Sequence, residues 1–600
     1  MQLGVDTGGT FTDLVAADGR VAKVLSTPDD PSRAVAEAVA SVGGRAELLA
    51  HGTTVATNAL LERRGARVAL VTTEGLGDLI EIGRQDRPSL YDHLASRPEP
   101  LVERGLRYEV PGRLAADGTE LAPVAPEAVP AIDPAAEAVA VCLLHADVEP
   151  AHERVVARVL RDRGLDVTCS HEVSPEMREY ERTVTTVVNA ALRPRCRRYL
   201  RRIAELADEV LVMTSSGGLL PAAEAAELPA ALLLSGPAGG VRAGAAAAVA
   251  NGFRGAVTFD MGGTSTDVCL VLDGTPAPAA QREVGGYTVR FPALDVHTIG
   301  AGGGSIARID PGGALVVGPE SAGADPGPAC YGRGGERPTV TDANLVAGRI
   351  PADAPFSGLA LDRRAAAAAL DRAGVTAEGV LAVVNANMVR ALRAVSVERG
   401  VDPRGLALVA FGGAGPLHAC ALADALGMPA VVVPARAGVL SAVGLLTAPR
   451  RRDLVRSWPA PDDHAGLAEA LAALAEQARS LVRAPAGEVT VTTALDCRYR
   501  GQSHELTVPD VAAFHDEHRR RNGYARPGDP VEVVALRAAA TGPPAAAIDD
   551  LPVAPRLDRP VDGPTVIAEP DCTIWVAEGW TAHPGAAGAI VLRRTGEVGA

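Results

Sequence analysis

Three short apolar runs open the chain: QLGVDT, DLVAAD and VAKVLST, joined by the tight turns GGT and DGR. Such runs punctuated by glycine predict a small antiparallel meander. The next stretch, DDPSRAVAEAVASVGG, changes period. Asp30 stands at an N-cap position, Pro31 at the first helical position and Gly43 or Gly44 past the end, predicting a helix over about 31–42. Strand-like ELLAHGTT, helix-like ATNALLERRG and strand-like RVALVTT then alternate as in a βαβ unit, so this lobe mixes antiparallel and parallel pairing.

The opening pattern returns in AVTFDMGG and TDVCLVLDG, where an apolar strand again ends in Gly-Gly-Thr and a second strand follows, predicting an internal structural repeat. Between the copies, residues 170–207 read as one long helix or two, starting near Pro175 and bridging two lobes. LALVAFGGAGPLHACALADALG, 406–427, reads as strand, glycine turn and helix. From about residue 490 short strands with Gly and Pro turns predict a β-rich C-terminal domain, with PAPDDHAG, 459–466, as a linker. The expected division is 1–180, 181–458 and 467–600, with the opening motif in the first part and its repeat, plus the glycine turn at 412–415, in the middle part.

Composition agrees with a globular α/β protein of two or three domains: 600 residues, 47% hydrophobic and only 3% aromatic. The net charge of -15 without long basic runs argues against broad nucleic-acid or anionic-membrane binding. Eight cysteines without a C-x-x-C pair indicate neither a disulfide framework nor a zinc ribbon, and fit a reducing cytoplasm. No leader pattern and no uninterrupted apolar segment of bilayer length is expected. Lys23 is the only lysine, which removes the phosphate-loop NTPases and the protein kinases, both of which place a lysine on the phosphates.

The candidate chemistry lies in D-x-G-G-T-x-T-D, written once as DTGGTFTD at 6–13 and again as DMGGTSTD at 260–267. A carboxylate beside a Gly-Gly turn offers a Mg²⁺ ligand next to backbone N–H groups that approach an anion closely. A threonine hydroxyl adds a donor to phosphate. Two such hairpins facing one another would grip a triphosphate, and a hairpin alone has no need of a repeated second Thr and second Asp. The GGAG turn at 412–415 permits close approach of an adenosine. Asp13 and Asp267 are read as holding the turns.

In this order the three motifs resemble those of the actin, sugar-kinase and heat-shock-chaperone ATPase superfamily. The likeness implies two actin-like ATPase lobes with ATP and Mg²⁺ in the cleft, plus the β-rich domain. Longer runs narrow it: HGTTVATNALLERRGA, SHEVSPEMREYERTVTTVVNA, SSGGL, LLSGPAGGV, TIGAGGGSIA and VGPESAGADPGPACYGRGG are similar to the hydantoinase A and 5-oxoprolinase family.

That resemblance implies ATP-dependent opening of a small cyclic amide, by phosphorylation of the amide carbonyl oxygen, together with a hydantoinase B-type subunit in an oligomer. It also leaves open an ATP-dependent ketone carboxylase subunit, and a non-metabolic actin-like or chaperone-like ATPase is the third reading. By carry-over, Asp6 and Asp260 hold Mg²⁺. Gly8, Gly9, Thr10, Thr12, Gly262, Gly263, Thr264 and Thr266 hold phosphate, and Gly412, Gly413 and Gly415 hold adenosine. His51 is a candidate to polarise the substrate, with Arg84, Asp295 and His297 as further candidates, and Cys330 is read as a packed side chain. YEVPGR, 108–113, and CLLHADVEPAHE, 142–153, depart from the family pattern and point to a different substrate pocket.

Overall fold

The computed structural model describes residues 1–596 apart from residues 10, 28, 98, 354–359, 554 and 555. The N-terminal meander forms as expected: Gln2–Thr7 pairs antiparallel with Phe11–Ala16, which pairs with Val21–Leu25. The helix Pro31–Val42 follows, with the Asp30 side chain accepting from the Ser32 N–H and Gly43 at its end in a left-handed φ of 64°. This is the cap chemistry that the sequence spells out.

Gln2–Thr7 lies parallel to Leu48–Thr53 on its other side, and Leu48–Thr53 lies parallel to Glu209–Met213. The sheet then continues through Leu219–Pro221, Pro449–Ser457, Val531–Pro544 and Thr490–Tyr499 to Leu506–Val508, ten strands in all. A second large sheet is built around Ala256–Met261, with Thr266–Leu272 antiparallel on one side and Ala407–Phe411 parallel on the other. It extends through Ala430–Val433 to Ile590–Arg594 and Trp580–Pro584. A smaller, wholly parallel sheet of Val167–Cys169, Ala138–Cys142, Val68–Thr73 and Arg107–Val110 sits apart from both. Sheet membership therefore cuts across the segments 1–180, 181–458 and 467–600: the strands between 490 and 544 extend the first sheet, whereas Val561–Asp562, Trp580–Pro584 and Ile590–Arg594 extend the second.

The bridge expected between the copies is one 26-residue helix, Glu179–Ala204, preceded by the short turn Ser170–Val173. Its inward threonines do not leave buried hydroxyls unpaired, because Thr185 and Thr186 donate to the Glu181 and Arg182 carbonyls at 2.7 Å each.

Two helices rest one on each large sheet and cross one another. Leu440–Thr447 lies on the first sheet, where a β-carbon built on Gly4 would stand 2.2 Å from the Ala442 carbonyl oxygen. Gly236–Ala250 lies on the second, with Gly240 against the Phe411 ring. At the crossing, a β-carbon on Gly444 would stand 1.8 Å from the Gly239 oxygen. Backbone meets backbone there, which gives the Ala- and Gly-rich, aromatic-poor composition its structural meaning.

Ala377–Arg399 is a helix long and apolar enough to cross a membrane by length and composition. Its inward residues Val380, Leu381, Val384, Met388, Leu392 and Val395 are buried in the core of the second sheet.

Candidate functional site

The repeat in sequence is a repeat in geometry. Asp6 pairs with Asp13 across the first hairpin, and Asp260 pairs with Asp267 across the second. Each turn is closed by the same bond, Gly8 N–H to the Phe11 carbonyl at 3.0 Å and Gly262 N–H to the Ser265 carbonyl at 3.1 Å. Each first aspartate is also flanked by a glycine, Gly52 within the parallel strand Leu48–Thr53 and Gly412 just past the end of Ala407–Phe411. A β-carbon on Gly52 would lie 2.6 Å from Asp6 Oδ1, and one on Gly412 would lie 2.4 Å from Asp260 Oδ1. Any other residue at either position would push the carboxylate out of place.

The second Thr and second Asp of each copy hold the neighbouring strand. Asp13 pairs with Lys23 at 2.7 Å, and Asp267 accepts from the Thr298 hydroxyl at 2.5 Å. Thr12 Oγ1 lies 3.1 Å from Ser26 Oγ, and Ser26 donates in turn to the Gly8 carbonyl at 2.8 Å. Thr266 donates to the Ala301 carbonyl at 2.6 Å. Thr12 and Thr266 are both 0% exposed, so their hydroxyls brace the hairpins instead of reaching a phosphate, contrary to the expectation from the motif. Gly8, Gly9, Gly262, Gly263 and Thr264 keep open surface, and an added β-carbon on Gly9 or Gly263 would meet nothing within 4 Å. Thr10 lies outside the described residues.

The hairpins share one electrostatic environment. Burial pushes the Asp6 carboxyl up to about 7, with Asp13 adding to the effect and Lys23 opposing it. Asp260 is pushed up to about 8 by burial, then by Asp267, and then by Asp6 and Asp13 of the other hairpin. Asp267 rises to about 6, chiefly through burial, against the Thr298 hydrogen bond. Four crowded carboxylates, with Lys23 as the one cation bonded to any of them among the described residues, are the donor set a hydrated divalent cation relieves.

The third motif packs against the second hairpin. Ala414 N–H donates to the Met261 carbonyl at 3.0 Å, Gly412 N–H to Ala437 at 2.9 Å, and Gly415 opens the helix Gly415–Leu426 beside Phe259. Gly413 is exposed, with open space where a β-carbon would stand.

A fourth glycine loop completes the site without having been singled out for a role. Gly303 and Gly304 donate from their N–H groups to the Gly262 and Gly263 carbonyls at 2.9 and 2.7 Å. A β-carbon on Gly302 would stand 2.6 Å from Gly263 C and Thr264 N. The signal was the uninterrupted Gly-Gly-Gly in TIGAGGGSIA, which only close backbone packing or a left-handed turn requires.

The other candidates stand elsewhere. His51 is 0% exposed, its Nδ1 lies 3.0 Å from the Val5 carbonyl and its Nε2 lies 2.7 Å from the Tyr199 hydroxyl. With both nitrogens engaged and the imidazole lowered to about 4 by burial, it is a neutral strut between strands, not a group facing a substrate. Arg84 is held bidentately by Glu181 at 2.7 and 2.6 Å. His297 pairs in register with Val268, and since the adjacent Thr298 reaches Asp267, His297 projects from the opposite face, exposed. Asp295 is paired with Arg399. Cys330 is buried, its thiol pushed well above its ordinary range by burial and Asp342, as a packed residue should be.

The hydantoinase/oxoprolinase N-terminal region model matches residues 2–164, and the hydantoinase/oxoprolinase model matches 182–453. The chain is 36% identical to the caprolactamase subunit alpha of Pseudomonas jessenii, over 89% of this chain and 86% of that one. The solved structure of the ATP-dependent caprolactamase from that organism superposes with a TM-score of 0.85 at 32% identity, covering 99% of this chain and 100% of that chain. Identity to 5-oxoprolinase 1 of Arabidopsis thaliana is 31% over 84% of this chain, which spans only 46% of that relative. Identity to the acetophenone carboxylase gamma subunit of Aromatoleum aromaticum is 33%, over 73% of this chain and 67% of that one.

Proposed function

The chain belongs to the hydantoinase/oxoprolinase family, and from that premise we propose that it is the ATP-using subunit of an enzyme that opens a cyclic amide. The observation that carries the proposal is the pair of facing hairpins in one register, in a chain that follows the ATP-dependent caprolactamase over its whole length. The alternative of ketone carboxylation rests on the shorter match to a carboxylase subunit and has less support.

Asp6 and Asp260 are the residues proposed to hold Mg²⁺, with the open backbone of Gly8, Gly9, Gly262 and Gly263, and Thr264, against the phosphates, and Gly412, Gly413 and Gly415 against adenosine. The residues fit the group, since four mutually repelling carboxylates lie beside two turns whose glycines leave space on the open side. When bound, Mg²⁺ supplies charge neutralisation for phosphoryl transfer. The chain's own contribution is positioning. Lys23 and Thr298 fix the second aspartates, Gly52 and Gly412 allow the first aspartates to lie flat, and the loop 302–304 locks the second turn.

In the proposed reaction the terminal phosphoryl group moves to the amide oxygen and ADP leaves. Water then adds to the carbonyl carbon, the C–N bond breaks with the ring nitrogen leaving as an amine, and a second water releases phosphate from the resulting acyl phosphate. A lactam carbonyl is unreactive, and phosphorylation converts its oxygen into a leaving group.

A B-type partner is part of the proposal. The relative matched over nearly its whole length is named as a subunit, and the matched 5-oxoprolinase is about twice as long as this chain. All eight cysteines are unpaired and buried, which supports the cytoplasm as the compartment.

The test is Mg²⁺-dependent ATP hydrolysis by the purified chain, with and without its B-type partner, across hydantoins, 5-oxoproline, caprolactam and other lactams, and ketones with bicarbonate. Stimulation by a cyclic amide that is lost in Asp6→Asn and Asp260→Asn is the expected result. Stimulation by a ketone alone moves the protein to the carboxylases.

A further inference from the structure

Among the described residues, Arg242 is a cation without a bonded partner. It sits on the helix Gly236–Ala250, partly buried, and makes no ion pair and no hydrogen bond among them. Its Nε is sealed from solvent without an acceptor. The side chain lies along the turn 214–218: a β-carbon on Gly217, which has a left-handed φ of 77°, would stand 2.7 Å from that Nε and 3.1 Å from Leu294 Cδ1. Burial, and then the like charge of Arg451, lower Arg242 to about 10.

No neighbouring carboxylate is free to balance it. Asp453 is held by Arg451 through contacts of 2.7 to 3.0 Å. Asp295 is held by Arg399. A second guanidinium, Arg282, donates only to the Leu233 carbonyl at 2.8 Å, to Leu234 at 3.4 Å and to Leu294 at 3.2 Å, and has no acidic partner. The groups around Gly217 and Leu294 thus carry more positive charge than the described residues neutralise, and a buried unpaired charge is costly unless a ligand completes it.

The location suits a ligand. The turn 214–218 follows Glu209–Met213, which runs parallel to Leu48–Thr53 and through it to Gln2–Thr7, so it lies at the same carboxyl edge as Asp6. Open parallel sheets bind ligands outside that edge. The segment that closes the other side joins it to the second hairpin, since Leu294 N–H donates to the Ser215 carbonyl at 2.8 Å and Thr298 bonds Asp267.

We propose that Arg242 is the receptor for a planar carboxylate on the substrate side of the nucleotide cleft. The inference rests on the function proposed above, under which such a carboxylate has two sources: a substituent on the ring of the cyclic amide, or bicarbonate. A guanidinium offers parallel donors that match a carboxylate and leaves a neutral lactam without that contact.

The test is calorimetric titration of the full chain, wild type and Arg242→Gln, with 5-oxoproline, the neutral γ-butyrolactam and bicarbonate. The expected result is 5-oxoproline binding at least about tenfold tighter than γ-butyrolactam, with the preference lost in Arg242→Gln and largely kept in Arg242→Lys. If bicarbonate alone binds and Arg242→Gln abolishes it, the receptor stands with bicarbonate as its ligand and the cyclic-amide reading falls. Equal affinity of the wild type for the charged and neutral lactams, or binding of every probe unchanged by Arg242→Gln, overturns the proposal. Should the glutamine variant fail to fold, the wild-type ratio and the lysine variant decide it.

Discussion

Gly412 stands so close to Asp260 that a β-carbon would lie 2.4 Å from Oδ1 and 2.5 Å from the Met261 carbonyl oxygen, and its φ of 79° is one that other residues rarely adopt. Gly412→Ala should therefore destabilise the chain by about 1–3 kcal/mol and reduce Mg²⁺-dependent ATP hydrolysis about a hundredfold through displacement of the carboxylate. Gly413→Ala, with open space and an ordinary φ, is the control. It should leave the unfolding midpoint unchanged. Equal loss of stability in both would show that the contact with Asp260 does not matter.

The carboxylate cluster gives a pH dependence of definite sign. Asp260, at about 8, and Asp6, at about 7, bind their protons more tightly in the folded chain than the ordinary value of 3.8 would require. Between those values the folded state holds more protons than the unfolded one, so the ligand-free chain should lose stability as pH rises from 4 toward 8. Asp260→Asn should flatten that fall in a thermal-unfolding series. Mg²⁺ should raise the wild-type midpoint more at pH 8 than at pH 6, because it binds the ionised form. A midpoint insensitive to Mg²⁺ at both values would contradict the assignment of these residues as its ligands.

His51 acts in the opposite direction. Its folded value of about 4 lies below the ordinary 6.5, so the unfolded chain takes up the proton first and stability is lost as pH falls from 6.5 to 4. His418, lowered to about 3 and bonded to Asn385 at 2.8 Å, adds to the same slope. His51→Gln should cost about 1–3 kcal/mol, because the Tyr199 hydroxyl loses its acceptor, and should make the acid limb shallower. ATP hydrolysis measured well below the unfolding midpoint should survive. A collapse of turnover in a fully folded variant would return His51 to the catalytic machinery.

The parts of the fold that were legible are the local ones. The Asp30 cap, Pro31 and Gly43 spell the first helix, and the two copies of D-x-G-G-T-x-T-D spell two hairpins with one register. What a residue type at a given spacing does not reveal is which way it faces and what it meets. Thr12 and Thr266 have the chemistry to bind phosphate, yet Ser26 and the Ala301 carbonyl claim them. His51 stands near the end of a strand, where ligands are often met, but Tyr199, 148 residues away, caps its ring. Long-range pairing likewise sends Val531–Pro544 to the first sheet and Ile590–Arg594 to the second, although both are short apolar runs in one β-rich stretch.

The crossing of the two central helices yields the last prediction. An alanine ordinarily stabilises a helix by about 1 kcal/mol over glycine. At Gly444 the sign should reverse, because the new methyl would lie 1.8 Å from the Gly239 carbonyl oxygen and 2.3 Å from its carbon. Neither is the end of a flexible side chain, so relief requires the helices to separate, and with them the sheets they rest on. Gly444→Ala should cost about 3 kcal/mol or more in denaturant unfolding, of the size seen for overpacked cores and beyond the propensity gain. Gly239→Ala, whose β-carbon would meet the Ser441 carbonyl oxygen at 2.7 Å, strains the same crossing. Since one separation relieves both clashes, the double variant should cost clearly less than the two single losses added together. Strict additivity would mean that each site relaxes alone, and that the helices do not move as one joint between the hairpins.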